Sequence, residues 1–203
     1  MEGKGARAEQ SGATRAKLVA AGRELFSERG YADVGTEEIV RRAQVTRGAL
    51  YHHFVDKKDL FRAVHEELEG ELAQTIGAQL ATGESTGALD LLRTGVRTFL
   101  DACTDRAVAR IVLVDAPSVL GWREWREIDE RHGLGLVIAG LEGAMTTGEI
   151  ARQPVKPLAH LLLGAMGEAG MLVANAEDPE ATREEVEPAL LALLEGLRGS
   201  GAE

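Results

Sequence analysis

The chain has 203 residues, 44% hydrophobic and 28% charged, and its 33 acidic and 23 basic side chains give a formal charge of −10. That length can bury a core in one globular domain or two small ones, and the composition excludes wholesale disorder, collagen-like repeats and a fibrous role. No uncharged run approaches the roughly 18 apolar residues that span a bilayer, the stretch from Met1 to Ala13 lacks the apolar centre of a signal peptide, and the single cysteine, Cys103, can form neither an internal disulfide nor a multi-thiolate metal site, so a cytoplasmic protein without a membrane partner or metal cofactor is expected.

Lys4 and Arg7 lie in a Gly- and Ala-rich opening segment, 1–13, which reads as a flexible tail. Leu18, Ala21, Leu25 and Phe26 then recur at three- and four-residue steps and Gly30 supplies a stop, so Thr14 to Arg29 is predicted as an amphipathic helix. Thr36 can cap a second helix that places Glu37 and Glu38 in its first turn, where the helix dipole favours them, and ends near Ala43. Thr46 can cap a third, Arg47 to Phe54. Asp56 can cap a long fourth helix, Asp56 to Leu80, carrying Leu60, Phe61, Val64, Leu68, Leu72, Ile76 and Leu80 inward. No sustained period-two alternation interrupts this pattern, and the fold class is all-α.

Charge divides the chain. Met1 to Arg62 carries 12 basic and 9 acidic residues, whereas Ala63 to Glu203 carries 11 basic and 24 acidic ones. An acidic body repels a polyanion, so nucleic acid, if bound, must meet the amino-terminal third. There, two short helices separated by Gln44, Val45 and the capping Thr46 form the pattern of a helix-turn-helix, whose second helix can enter a DNA major groove. Ala49, Leu50 and Phe54 can pack inward while Arg47, Gly48, Tyr51 and His52 face the open side. Arg47 offers a fork of donors to guanine or phosphate, Gly48 removes bulk where backbones approach, and Tyr51 and His52 can donate to phosphate oxygens. Lys57 and Lys58 sit at the start of the fourth helix, where free N–H groups and ammonium charge attract phosphate.

The segments Gly30-Tyr31, Thr36-Glu37-Glu38-Ile39, Ala43, Val45 to Tyr51, His53-Phe54 and Lys57 to Leu60 together resemble the amino-terminal signature of the tetracycline-repressor (TetR) family over Leu18 to His65. The resemblance implies a homodimeric, ligand-responsive transcriptional regulator, usually a repressor, and not an enzyme. It implies a three-helix DNA-binding domain at 14–62 and a larger helical domain for ligand binding and dimerisation at 63–198, with a tail at 199–203. It carries DNA contacts onto Thr36, Thr46, Arg47, Gly48, Tyr51, His52 and Lys57, and leaves His53 and Phe54 as support. Gln44 departs from the glycine usual in this turn, and a left-handed conformation there would cost on the order of 1 kcal/mol.

Further helices are predicted at Gly87 to Cys103, Arg106 to Ala116, Trp122 to Met145, Lys156 to Ala176 and Glu180 to Leu197, punctuated by Pro117, Pro154 and Pro179. The last two are apolar enough to form a four-helix dimer interface, with Leu158, Leu161, Leu162, Ala165, Leu190, Leu193, Leu194 and Leu197 as its residues, the lesser alternative being an internal core stripe. Phe99, Ile111, Trp122, Trp125 and Met166 lie on inward stripes of neighbouring helices and form a candidate pocket for a small apolar or aromatic effector, the Trp pair being pocket wall or plain core. The segment Asp115 to Arg126 is similar to carboxy-terminal domains in one subset of the same family.

Catalytic signals are thin. Cys103 has no neighbouring His, no Gly-x-Ser-x-Gly elbow occurs, and Gly133-Leu134-Gly135 lacks the rest of a dinucleotide fingerprint. Asp129 and His132 have metal-ligand spacing but, as a two-member set, read as a solvated ion pair. The remaining alternative is a constitutive helical DNA-binding or adaptor protein without an effector.

Overall fold

The computed structural model describes residues 2–82 and 87–198; the tail expected at 199–203 and the side chains of Lys4 and Arg7 lie outside the described residues. Ten α-helices account for most of the described chain, and apart from an isolated bridge between Ile150 and Arg198 no strand pairing occurs in it. The first helix, α1, is Glu2–Arg29 and so begins well before Thr14. Ala, Glu, Lys, Arg and Gln fill most positions from Glu2 to Ala13 and carry the helix across Gly3, Gly5 and Gly12, and the Thr14 hydroxyl donates to the Gln10 carbonyl (2.9 Å) instead of capping, so nothing starts the helix at Thr14.

Helices α2 (Thr36–Arg42), α3 (Arg47–His53) and α4 (Lys57–Thr82) complete the amino-terminal unit. Leu18, Leu25, Phe26, Ile39, Leu50, Leu60 and Phe61 are buried together, and Phe26, Tyr31 and Phe61 form a ring trio with centroids 5.1–5.8 Å apart. Each such side chain contributes about 1.5–3 kcal/mol by leaving water. Gly30 ends α1 with φ +82°, donating to the Phe26 carbonyl, and the Arg110 guanidinium fills the space where a Cβ would stand.

The α2–α3 turn puts Gln44 in the left-handed region at φ 55°, the strain that its replacement of glycine implies. Gln44→Gly is therefore expected to stabilise the protein by roughly 0.5–1 kcal/mol, net of the extra unfolded-state entropy of glycine. Chemical denaturation reads this directly; an unchanged midpoint would mean that the turn relaxes around Gln44 at no cost.

The second unit contains α5 (Ala88–Ala102), a π-helical stretch Val108–Asp115 continuing into α6 (Ala116–Leu120), α7 (Trp122–Asp129), a second π-helical stretch Glu130–Leu134 continuing into α8 (Gly135–Thr146), α9 (Val155–Ala174) and α10 (Pro179–Glu195). The single helix predicted from Trp122 to Met145 is thus a continuous rod with a wide turn in its middle. Leu89, Leu92, Val96, Leu100, Leu141, Leu163, Leu190 and Leu194 form its core. Arg97 to Glu187 (2.8 Å) and Arg183 to Asp101 (2.7 Å) tie α5 to α10. The two units are joined by Arg106, which donates to the Ser27 and Glu28 carbonyls, by Asp115, which accepts from the Tyr31 N–H (2.7 Å), and by Glu124, which pairs with Lys58 and Arg62.

Helix α9, with mean hydropathy 1.4 over 18 residues, is long and apolar enough to cross a membrane by composition, yet Ala159, Leu162, Leu163, Met166, Ala169, Gly170 and Val173 are buried inside the protein. The expected dimer stripe divides accordingly. Leu162, Leu190 and Leu194 belong to the internal core, whereas Leu161 (72% exposed) and Leu193 (64%) face outward, with Leu158, Ala165 and Leu197 partly buried. Two adjacent apolar stripes share α10, and the inner one packs against the chain's own α5 and α9.

Candidate DNA interface and effector cavity

Helix α3 is set by its cap. The Thr46 hydroxyl accepts from the Ala49 N–H (3.2 Å), and Leu50 and Phe54 anchor the inner side. Thr46, Arg47, Gly48, Tyr51 and His52 are consequently exposed along one open face. A Cβ at Gly48 would meet only the Thr46 hydroxyl, at 3.9 Å, so nothing in the protein itself needs the glycine and the free space lies on the open side. Arg47 is held loosely, 3.3 Å from Glu37 and over the Tyr51 ring, both weak surface interactions that a phosphate or guanine can replace. His53 is half-buried, and burial first, then His52 and Arg15, hold its pKa below the usual imidazole value.

Two residues stand elsewhere than expected. Thr36 is the first residue within α2 and partly buried; Gly35 occupies the cap and no side chain bonds there. Lys57 is turned inward, its ammonium donating to the Tyr31 (2.8 Å) and Val34 (2.9 Å) carbonyls and lying 4.0 Å from the Tyr31 ring centre. Burial holds its pKa below the usual lysine value. The α4 N-terminus is also occupied: Asp56 accepts from the Asp59 N–H and Asp59 from the Val55 N–H. Lys57 is thus a clasp that fixes the α1–α2 connection, and the phosphate site expected at the start of α4 is filled by carboxylates of the same chain.

A cavity of about 270 Å³ lies between α4, α5, the second π-helical stretch, α8 and α9. Of the five residues expected to line it, Phe99 and Met166 do. Ile111 and Trp125 are packed in the amino-terminal core, and Trp122, the first residue of α7 after Gly121 at φ +88°, is 68% exposed with its ring 5.0 Å from Trp125. The wall is instead Leu72, Ile76, Leu92, Val96, Leu136 and Leu163 with their neighbours.

The polar part of the cavity was not expected. Glu69 and Asp129 both line it. Asp129 is held by Arg126 (3.0 Å), not by His132, and burial lifts its carboxyl to about 6 despite that partner. Burial also lifts Glu69 to about 8 and, on His65, pushes the imidazole down to about 4, with His132 adding to the latter. At neutral pH Glu69 therefore keeps its proton and His65 is uncharged. Cys103, buried near Glu69, is pushed up to about 12 and is inert as a nucleophile.

Residues 18–64 match the family described as bacterial regulatory proteins, tetR family, and residues 89–197 match the tetracyclin repressor-like C-terminal domain. The chain is 30% identical over 165 residues to the transposon Tn10 TetC protein of Escherichia coli, covering 81% of this chain and 82% of that protein. The crystal structure of a TetR-family transcriptional regulator from Pectobacterium atrosepticum is similar with a TM-score of 0.84 at 35% identity, over 95% of this chain and 97% of that one. The transcriptional regulator FadR from Bacillus subtilis, in complex with stearoyl-CoA, gives a TM-score of 0.70 at 20% identity over 87% of this chain and 97% of that one, a likeness of fold alone.

Proposed function

The chain belongs to the TetR family of bacterial transcriptional regulators, and on that premise we propose that it is a cytoplasmic repressor that binds palindromic operator DNA as a homodimer and leaves it when a small, largely apolar effector enters the cavity. The observation that carries the DNA half is the open face of α3, where Thr46, Arg47, Gly48, Tyr51 and His52 are exposed while Leu50 and Phe54 lock the helix from behind. This unit is also the basic third of an otherwise acidic chain.

Support for the effector half is mechanical. Helix α4 contributes Leu72, Ile76 and Leu80 to the cavity, and the same rigid helix packs its first turns, through Leu60, Phe61 and Val64, into the core that seats α3. Arg106, Asp115 and Glu124 bind the two units at the other end. An effector that prefers the DNA-incompetent arrangement by about 3 kcal/mol shifts the equilibrium by roughly two powers of ten.

The test is binding to a palindromic fragment from upstream of the neighbouring genes, with half-sites about 34–36 Å apart or a multiple. Arg47→Ala and Tyr51→Ala are expected to weaken binding at least tenfold without changing the melting temperature. Lys57→Met is expected to cost about 2 kcal/mol of stability through two lost carbonyl bonds, while the salt dependence of binding keeps its slope, because no phosphate contact is lost. Full affinity in both α3 variants would move the DNA surface elsewhere.

A further inference from the structure

The cavity between α4, α5, α8 and α9 is apolar over most of its wall, yet it contains a carboxyl that no group of the protein satisfies. Glu69 is 7% exposed, and among the described residues no hydrogen bond reaches it; its nearest polar approach is His65 Nε2 at 3.6 Å, beyond bonding distance. Both ring nitrogens of His65, itself fully buried, lack a partner as well. The groups near Glu69 are His65 from its own helix, Asp129 from the rod opposite and Cys103 from the end of α5; His132, from the same rod, acts on His65, and Arg126 and Glu130 stand behind Asp129. Arg126 is engaged by Asp129 and Glu130, so the one basic group within ion-pair distance of Glu69 among the described residues is the uncharged His65.

A buried polar group without a partner is costly, and proteins retain one where a ligand or a function supplies the missing contact. We propose that this cavity binds a hydrophobic cation, a protonated amine or quaternary ammonium on an apolar body, with Glu69 as its counter-charge and Asp129 beside it. The proposal rests on the effector reading of the cavity and gives that effector a chemistry. Phe99 presents an aromatic ring on the same wall, which a cation also favours. An anionic head would meet Asp129 and Glu69 without a free cation to offset them.

Binding has a proton balance. Glu69 enters as the neutral acid, loses its proton to solvent and forms the carboxylate–ammonium pair, so close to one proton is released per cation bound at pH 7. With the acid ionising near 8, affinity rises about fivefold between pH 7 and 8, where Asp129 is already ionised and His65 already neutral.

Three probes with one body separate the possibilities: 4-phenylbutylamine, 4-phenylbutanol and 4-phenylbutyrate, titrated calorimetrically in two buffers of different ionisation enthalpy, each then tested for DNA release. The amine is expected to bind at least tenfold more tightly than the alcohol at pH 8, to release a proton, and to displace DNA, with the butyrate weakest. Glu69→Gln, which removes a desolvated acid and should fold at least as well, is expected to level amine and alcohol and to abolish proton release; Asp129→Asn should reduce the preference in part. Alcohol or butyrate binding as tightly as the amine, or a preference that survives Glu69→Gln, overturns the charge assignment; DNA release by the alcohol would then leave the effector reading standing. Binding by none of the three overturns both.

Discussion

Leu194→Glu is expected to unfold the protein, whereas Leu193→Glu combined with Leu161→Glu should leave each chain folded and separate the two copies. Leu194 is fully buried and Leu190, one turn before it, is 3% exposed, both against the chain's own α5 and α9. A carboxylate there has no partner, and the sum of lost packing and desolvation is on the order of 5 kcal/mol, a large part of a domain's whole stability. Leu193 points some 100° away. On α9, Leu161 and Leu172 are eleven residues apart and hence within about 20° of one another, so with Leu193, Ala189 and Gly164 they make an exposed, largely apolar face on two adjoining helices, interrupted on α9 by the exposed Glu168. Such a face suits a twofold four-helix contact. Sedimentation of the Leu161→Glu/Leu193→Glu protein should give a monomer with native helicity, and operator affinity should fall as one half-site is lost. A dimer surviving both charges would place the interface on another face.

The amino-terminal unit is legible in the sequence because its signals are local. Thr46 caps α3, Gly30 stops α1, Glu37 and Glu38 favour the start of α2, and the inward set Leu50 and Phe54 follows from spacing alone. The start of α1 and the cap of α2 are misplaced locally, at Thr14 and Thr36, and the larger departures arise where a residue's partner is distant in sequence. Lys57 at a helix start reads as a phosphate ligand until the fold brings the carbonyls of Tyr31 and Val34, 26 and 23 residues earlier, onto its ammonium. Leu190, Leu191, Leu193 and Leu194 on α10, with Leu197 just past its end, make two neighbouring apolar stripes, and periodicity cannot say which of them meets the same chain. Trp122 and Trp125 are spaced as one helical face, but Trp122 is in the first turn after the Gly121 bend and overhangs the edge of the bundle. Of the cavity carboxyls, Asp129 reads from the sequence as half of a solvated pair with His132, and Glu69 draws no notice because a His–Glu pair at i,i+4 looks like a surface pair; the available signal is that His65 and Glu69 flank Val64, Leu68 and Leu72, the buried line of α4.

The buried cluster makes stability depend on pH in a direction opposite to that of an ordinary salt-bridged protein. Glu69 is protonated in the folded state up to about 8 but ionises near its ordinary value of 4.5 when unfolded, so between those limits the folded chain binds the extra proton and stability falls as pH rises. Asp129, lifted from 3.8 to about 6, acts in the same sense over a lower window. His65 acts in the other sense: its folded value near 4 against 6.5 means that stability rises with pH across that interval. Below pH 6.5 the histidine offsets the carboxyls. Above it Glu69 supplies most of the remaining difference between the two states, and stability should drop by roughly 1–2 kcal/mol from pH 6.5 to 8. Denaturation midpoints measured across that range should fall for the unmodified protein and stay level for Glu69→Gln, with His65→Gln keeping the decline. A level profile in the unmodified protein would mean that Glu69 is already ionised at pH 6.5 in the folded state, and hence that a cation or water within the protein satisfies it before any effector arrives.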